Sequence, residues 1–370
     1  MTRPDSSIRD RVEAVMRGHE NPGAWGAPLF VAEKVYGLGV KARNALYDLH
    51  VLKPQEAPCK IISVGNLTVG GTGKTPFVML MAEKLRATAP DNWSFGILSR
   101  GYGGKAASGV HVVCDGSALG AGPPVSADEP YMLARKLGVV PVVCAPKRIE
   151  GAVELVERFK VDAIIMDDGF QHRAISRDLN ILLVDALNPF GNGHLFPRGV
   201  LREHVSGIKR ADLVVISGAS GLGEGERGEL TARIGELARE DVDIIAVEGQ
   251  ITGFEDMEAN PAPPPDAPVY AFCAVANPDY FKDSLEKMNI KLAGFRAFGD
   301  HHWFSDEEIE RIRADAVGCQ ASAIVTTQKD AVRLIDRYKK LGLPLKIAVW
   351  KMEITEGGEK LDLAISEIIS

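Results

Sequence analysis

The sequence predicts an α/β protein: a mostly parallel sheet flanked by helices on both faces, followed by a second, smaller α/β domain. Three observations carry this. From residue 60 to about 250, short apolar runs alternate with helical stretches, the runs falling near 61–64, 94–98, 140–144, 162–166, 180–185, 212–217 and 243–248. That rhythm argues for βαβ units, whose crossover helices cover both faces of a parallel sheet. A glycine-rich turn joins the first run to a helical one, and a stiff tract, Asn260-Pro-Ala-Pro-Pro-Pro-Asp-Ala-Pro268, interrupts the chain later. Such a tract offers few side chains that could pack and reads as a boundary.

The expected parts are residues 1–52, an N-terminal helical segment; 53–255, the main core; 256–268, the proline-rich linker; and 269–370, the smaller domain. Residues 1–22 alternate charges and suggest a short polar helix or a frayed end. Between Trp25 and Leu52 the chain turns apolar, and Leu29, Ala32 and Tyr36, then Leu46 and Leu49, recur at helical spacing. Two readings stand: a helix packed on the core, or one resting on a membrane surface with its aromatics and Lys34, Lys41 and Arg43 at headgroup level. Ala106–Ser126, small and glycine-rich, reads as an insertion. Past the linker, strands are expected near 269–274, 291–297, 322–327 and 345–353. Ser305 with Glu308 forms a capping box that starts a helix over 305–317.

The most informative stretch is Ile61-Ile-Ser-Val-Gly-Asn-Leu-Thr-Val-Gly-Gly-Thr-Gly-Lys-Thr-Pro76. Strand, glycine turn and helix in that order make a phosphate-binding loop, and place the core with phosphate-loop NTPases. In this reading Thr68, Val69, Gly70, Gly71, Thr72 and Gly73 turn backbone N–H groups around a nucleotide's phosphates. The helix N-terminus adds its positive dipole end, Lys74 reaches the β- and γ-phosphates, and Thr75 offers a hydroxyl to Mg²⁺. The spacing departs from the common pattern at one position, where Thr68 stands in place of the first glycine.

Other candidates cluster at predicted strand ends, where ligands of open α/β sheets gather. Val161-Asp-Ala-Ile-Ile-Met-Asp-Asp168 ends in two carboxylates, Asp167 and Asp168, suited to Mg²⁺. Gln171 and His172 follow at once. Arg100 and Tyr102 follow the strand near 94–98, Arg148 the strand near 140–144, and Arg202 and Glu203 lie in a later loop. Asp128 and Glu129 precede a helical stretch, where N-capping alone could explain them. His301 and His302 stand side by side before the capped helix, without the further ligands a metal would need. A histidine there can orient a carboxylate base.

Composition narrows the classes. With 370 residues, 45% of them hydrophobic and 25% charged, the chain has the make-up of a globular protein with a substantial core. A net charge of −7 argues against a nucleic-acid partner. Five scattered cysteines without a C-x-x-C pair suggest buried thiols in a reducing compartment. Neither a secretory leader nor an apolar run of membrane-spanning length is expected. A guanine-reading Asn-Lys-x-Asp is absent; in Thr326-Thr-Gln-Lys-Asp330 the Lys and Asp are adjacent.

Taken together, Val64–Pro76, Leu98-Ser-Arg-Gly-Tyr102, Asp128-Glu-Pro130, Asp167-Asp-Gly-Phe-Gln-His172, Pro197-Arg-Gly199 with Leu201-Arg-Glu203, Ala276-Asn-Pro278 and Asp300-His-His302 resemble the tetraacyldisaccharide 4′-kinase family, the lipid A 4′-kinases. Thr68 fits that family, whose loop similarly lacks the first glycine. The resemblance implies ATP and Mg²⁺ as cofactors and phosphorylation of the 4′-hydroxyl of an acylated glucosamine disaccharide 1-phosphate. It also implies a peripheral protein on the cytoplasmic face of the inner membrane, seated through residues 25–52. By the same resemblance Asp128 is the base and His301 its partner, with Lys74, Asp167 and Asp168 acting on the phosphates and metal. Arg100, Tyr102, Arg148, Gln171, His172, Arg202, Glu203 and Asn277 would line the acceptor site.

Overall fold

The computed structural model describes residues 12, 15, 16, 18, 21, 23–105 and 109–370, so most of the polar opening stretch lies outside the described residues. The first set of strands is β1 (Lys60–Asn66), β2 (Phe95–Ser99), β3 (His111–Asp115), β4 (Pro141–Cys144), β5 (Ala163–Asp167), β6 (Leu179–Asp185), β7 (Leu213–Ser217) and β8 (Asp243–Glu255). A short β9 (Pro261–Ala262) leads to β10 (Val269–Cys273), β11 (Leu292–Ala297), β12 (Ile324–Thr327) and β13 (Leu345–Glu356). The helices are α1 (Gly26–Asp48), α2 (Lys74–Thr88), α3 (Asp128–Leu137), α4 (Arg148–Phe159), α5 (Glu224–Leu237), α6 (Pro278–Lys287), α7 (Asp306–Gly318), α8 (Gln328–Ala331) and α9 (Gly358–Ile369).

All the strands belong to one sheet, ordered β11-β10-β12-β13-β8-β7-β6-β1-β5-β2-β4-β3, with β9 attached to the end of β8. Around β1 the pairing is parallel, with β5 on one side and β6 on the other. This central position explains why Ile61, Ile62, Ser63 and Val64 are all buried in succession, since both faces of such a strand are covered. Antiparallel pairs occur at the β3 edge, at β9, and where β8 meets β13. The β8–β13 ladder joins the two sets of strands, and its length was not foreseen: both strands run beyond the expected apolar cores. β3 was not foreseen either, because it lies in the stretch read as an insertion.

The main core packs Phe77, Val78, Met81 and Leu85 of α2 onto Ile62 and Val64, together with Leu361, Ile365 and Ile368 of α9. The last helix thus returns to the first set of strands. Each such side chain contributes about 1.5–3 kcal/mol on full burial, which makes α2 a rigid mount for the loop that precedes it. All five cysteines are free. Burial pushes the thiols of Cys59, Cys144 and Cys273 up to about 12, so they are unreactive packing groups.

α1 differs from its sequence-level reading. Leu29 is buried, whereas Leu46 and Leu49 are exposed and lie on the opposite side. The inner face is held by polar groups. Buried Glu33 accepts from Leu195 N at 3.3 Å and from Arg198 Nη1 at 3.3 Å, and lies 3.2 Å from His194 Nδ1. Tyr36 donates to Arg202 O at 2.7 Å, and Asn44 to Glu203 Oε2 at 3.1 Å. The outer face carries Val31, Val35, Leu38, Leu46 and Leu49, all exposed and at helical spacing. No helix among the described residues is long and apolar enough to cross a membrane.

Candidate active site

The loop between β1 and α2 occupies the carboxyl edge of the sheet beside its central strand. Gly73 caps α2 at φ +80°, where a side chain would be strained and its Cβ would fall 2.5 Å from Met352 Cε. The entry to the loop is extended. Val69 N donates to Val200 O at 2.6 Å, Arg202 N donates to Leu67 O at 2.8 Å, and Thr68 is bridged to Leu201. Extended pairing needs no glycine, which accounts for Thr68 where the common pattern has one. Lys74 extends from the first turn of α2 to Asn66 Oδ1 at 3.1 Å and Asp168 Oδ1 at 3.6 Å. Thr75 is buried beside it. Asn66, which the sequence offered only within the strand–turn–helix stretch, thus positions the lysine.

Asp167 ends β5 in register with Val64 of β1, and Asp168 leaves the strand at φ +51°. The two carboxylates meet different surroundings. Arg202 Nη1 contacts both oxygens of Asp168, at 2.7 and 2.8 Å. Burial works to raise the Asp168 pKa, but Lys74 and Arg202 outweigh it and hold it below the usual carboxylate range. Asp167 is fully enclosed and its Oδ1 has no hydrogen-bond partner. Burial first, then the Glu129 and Asp168 charges, push it up to about 7. A buried carboxylate oxygen without a donor, at the end of the strand beside β1, suits a hard cation that takes its remaining ligands from phosphate and water. No cluster of three or more His, Cys, Asp or Glu side chains placed to hold a metal exists among the described residues, so a fully protein-ligated site is absent there.

A cationic wall adjoins the aspartates. Arg148 starts α4, buried, with Nη1 donating to Ala145 O at 2.7 Å and Nε without a partner. Burial lowers it to about 10 against the opposing charges of Asp167 and Asp168. Burial, with the charges of Arg148, Arg177, Arg100 and Arg43, lowers His172 to about 4, so that ring is neutral near pH 7. Gln171 donates to Asn66 O at 2.8 Å and Glu203 Oε1 at 3.0 Å, and Glu203, 1% exposed, is closed by Arg210. Gln171 and Glu203 therefore brace the loop and Arg202. Tyr102 is 80% exposed on its loop. Asn277 caps α6 by accepting from Tyr280 N at 3.1 Å, and Ala276 beside it faces Gly71.

A second wall comes from residues far apart in sequence. Asp128 begins α3, and its Oδ2 lies 3.1 Å from His301 Nδ1. Arg333 grips the same oxygen through Nη2 and, at 3.0 Å, through Nε. Burial favours the neutral acid, but the His301 hydrogen bond and the Arg333 charge prevail and hold Asp128 well below the usual range. Lys329 contacts Glu129 at 3.0 Å, Asp300 at 3.1 Å and His301 Nε2 at 3.1 Å. His302 points elsewhere: Nε2 lies 2.9 Å from Glu308 Oε2, and the ring stacks on Phe298. Lys329 and Arg333 went unassigned in the sequence. The only signal was the Thr326–Asp330 tract, weighed there as a nucleotide-base reader.

Known proteins resemble this chain over most of its length. Residues 25–369 match the family model described as Tetraacyldisaccharide-1-P 4′-kinase. A tetraacyldisaccharide 4′-kinase of Anaeromyxobacter sp. (strain K) is 38% identical over 362 residues, covering 95% of this chain and 94% of that protein. One from Syntrophus aciditrophicus (strain SB) is 35% identical over 324 residues, 84% of each. The crystal structure of LpxK from Aquifex aeolicus in complex with ATP superposes with a TM-score of 0.74 at 29% identity, covering 93% of this chain and 99% of that one.

Proposed function

The chain belongs to the tetraacyldisaccharide-1-P 4′-kinase family, and from that premise we propose how its cleft moves the γ-phosphoryl group of ATP to the 4′-hydroxyl of a tetraacyldisaccharide 1-phosphate. The observation that carries the reading is the pairing of two walls. Lys74 meets Asp168 at the head of α2, and Asp128 meets His301 at the start of α3. The loop amides of residues 68–75 and the Lys74 ammonium hold the β- and γ-phosphates. Thr75 and Asp167 would hold Mg²⁺, which when bound supplies neutralising charge to the phosphate oxygens. Asp168, fixed by Arg202, keeps Lys74 aimed at the transferring group.

Asp128 accepts a hydrogen bond from the 4′-hydroxyl. As the new bond from the 4′-oxygen to phosphorus forms and the bond to the ADP oxygen breaks, the hydroxyl proton passes to Asp128 Oδ. A carboxylate held so acidic is a weak base, yet it suffices, because in a loose phosphoryl-transfer transition state the proton moves late. Arg100 and Arg148 form a cationic wall suited to the anionic head of the acceptor. In this reading Tyr102 and Asn277 also meet the acceptor, and His172 is neutral near pH 7.

The exposed apolar stripe of α1 rests on the inner membrane, where the acyl chains of the acceptor are anchored, on the face that meets cytoplasmic ATP. The deciding experiment is transfer of ³²P from labelled ATP to tetraacyldisaccharide 1-phosphate in detergent micelles. Transfer is expected with wild type and not with Lys74→Ala. Hydrolysis of ATP without labelled lipid overturns the assignment.

A further inference from the structure

His301 is held from both ring nitrogens. Nδ1 lies 3.1 Å from Asp128 Oδ2, and Nε2 lies 3.1 Å from Lys329 Nζ. An ammonium group donates and cannot accept. Nε2 is therefore the acceptor, and the ring's single proton sits on Nδ1, pointing at Asp128. Two carboxylates face the same Nε2, Glu129 Oε1 at 3.8 Å and Asp300 Oδ2 at 4.0 Å. Left alone, they would draw a second proton onto the ring.

Lys329 stands between them, 3.0 Å from Glu129 Oε1 and 3.1 Å from Asp300 Oδ1. Burial disfavours its charge, but Glu129, Asp300 and Asp128 outweigh burial and raise its pKa, so the ammonium persists. Arg333 completes the set of charges around the dyad, bound to Asp128 and, at 3.0 Å, to Asp330.

We propose that Lys329 is a positioning residue for phosphoryl transfer: by occupying His301 Nε2 and neutralising Glu129 and Asp300, it keeps the imidazole neutral and restricts it to donating to Asp128. This rests on Asp128 being the group that takes the hydroxyl proton. An imidazolium beside Asp128 would add a second cation to Arg333 and weaken the carboxylate's hold on that proton still further. The lysine thus acts through the histidine and does not touch the reacting atoms.

The test is ¹⁵N NMR of the full chain labelled at histidine, together with kcat–pH profiles. In wild type at about pH 7, His301 should show a protonated Nδ1 and a bare Nε2. In Lys329→Met, with two unopposed carboxylates at Nε2, His301 should show imidazolium shifts, and kcat should fall roughly tenfold near pH 6.5 and recover above about pH 8. KM for ATP should stay within about twofold, and Lys329→Arg should restore the wild-type profile. A protonated Nε2 in wild type overturns the proposal even if no variant folds. A pH-independent loss of rate in Lys329→Met with a neutral ring, or a raised KM for ATP, also overturns it and assigns Lys329 to packing or nucleotide binding. Full activity in Asp128→Asn would instead defeat the underlying assignment of the base, while the NMR result would still report what Lys329 does to the ring.

Discussion

Arg202 holds Asp168 through one guanidinium nitrogen, 2.7 Å from one carboxylate oxygen and 2.8 Å from the other, while the neighbouring Asp167 keeps a buried oxygen with no donor at all. Two aspartates adjacent in sequence therefore do different work. Asp168 belongs to the cation frame that includes Lys74, and Asp167, whose oxygen has no such partner, is the one we propose for Mg²⁺. Asp167→Asn should raise the Mg²⁺ concentration for half-maximal rate by roughly tenfold or more. Asp168→Asn should lower kcat by roughly 10²-fold with little change in that concentration. A Mg²⁺ titration of both variants checks this, and the opposite pattern would reverse the assignment.

The two adjacent histidines should separate in the same way. His301 contacts Asp128, whereas His302 bridges to Glu308 and stacks against Phe298 with centroids 5.0 Å apart. Asp128→Asn should cut kcat by roughly 10²-fold or more and lower the thermal midpoint, since it removes a carboxylate that buried Arg333 grips, while His301→Ala should cut kcat by a smaller factor with little change in midpoint. His302→Ala removes the partner of Glu308, which closes the capping box of α7, so its effect should be on stability, about 1 kcal/mol. Melting curves and steady-state rates for the three variants decide the matter. A catalytic loss in His302→Ala with an unchanged melt would count against it.

Much of this arrangement was legible because it is local. A β-branched run, three glycines and Gly-Lys-Thr specify strand, turn and helix within one stretch, and Ser305 with Glu308 specifies where α7 begins. The missing parts are those set by distant pairing. Arg333 reaches Asp128 across 205 positions of sequence, and nothing near either residue announces the other. β3 escaped because an edge strand covered on one face needs only a few apolar residues, and its neighbours are small and glycine-rich. In α1 apolar residues occur on both sides. Periodicity could not tell which side would meet Glu33's partners and which would face outward.

His172 links the cleft to acid stability. Burial and the surrounding arginines lower its pKa from 6.5 to about 4. The unfolded chain then takes the proton first as pH falls, so the favourable contribution is complete above about pH 6.5 and is lost towards pH 4. Lowering the pH from about 6.5 to about 4.5 should therefore depress the thermal midpoint of wild type more than that of His172→Gln. Parallel midpoint-versus-pH curves for the two proteins would show that the ring is protonated in the folded state.

The outer stripe of α1 makes the remaining prediction. Val35 and Leu38 are 69% and 70% exposed, with Val31, Leu46 and Leu49 in line, while the opposite face is tied down by Glu33, Tyr36 and Asn44. A helix whose polar side chains face the protein and whose apolar ones face outward is inverted relative to an ordinary surface helix, and a membrane surface satisfies it. Lys34 and Lys41, both exposed, flank the stripe and favour anionic headgroups. Val35→Glu with Leu38→Glu should abolish flotation with vesicles containing anionic lipid, because two exposed apolar side chains at the centre of the stripe become charged. The thermal midpoint should change little, since neither residue packs on the body, and activity on detergent-dispersed acceptor should persist. If the double variant floated as well as wild type, the stripe would not be the membrane contact. If it lost activity in detergent as well, the stripe would be acting on the cleft itself, through the Asn44–Glu203–Gln171 chain that ties α1 to the phosphate loop.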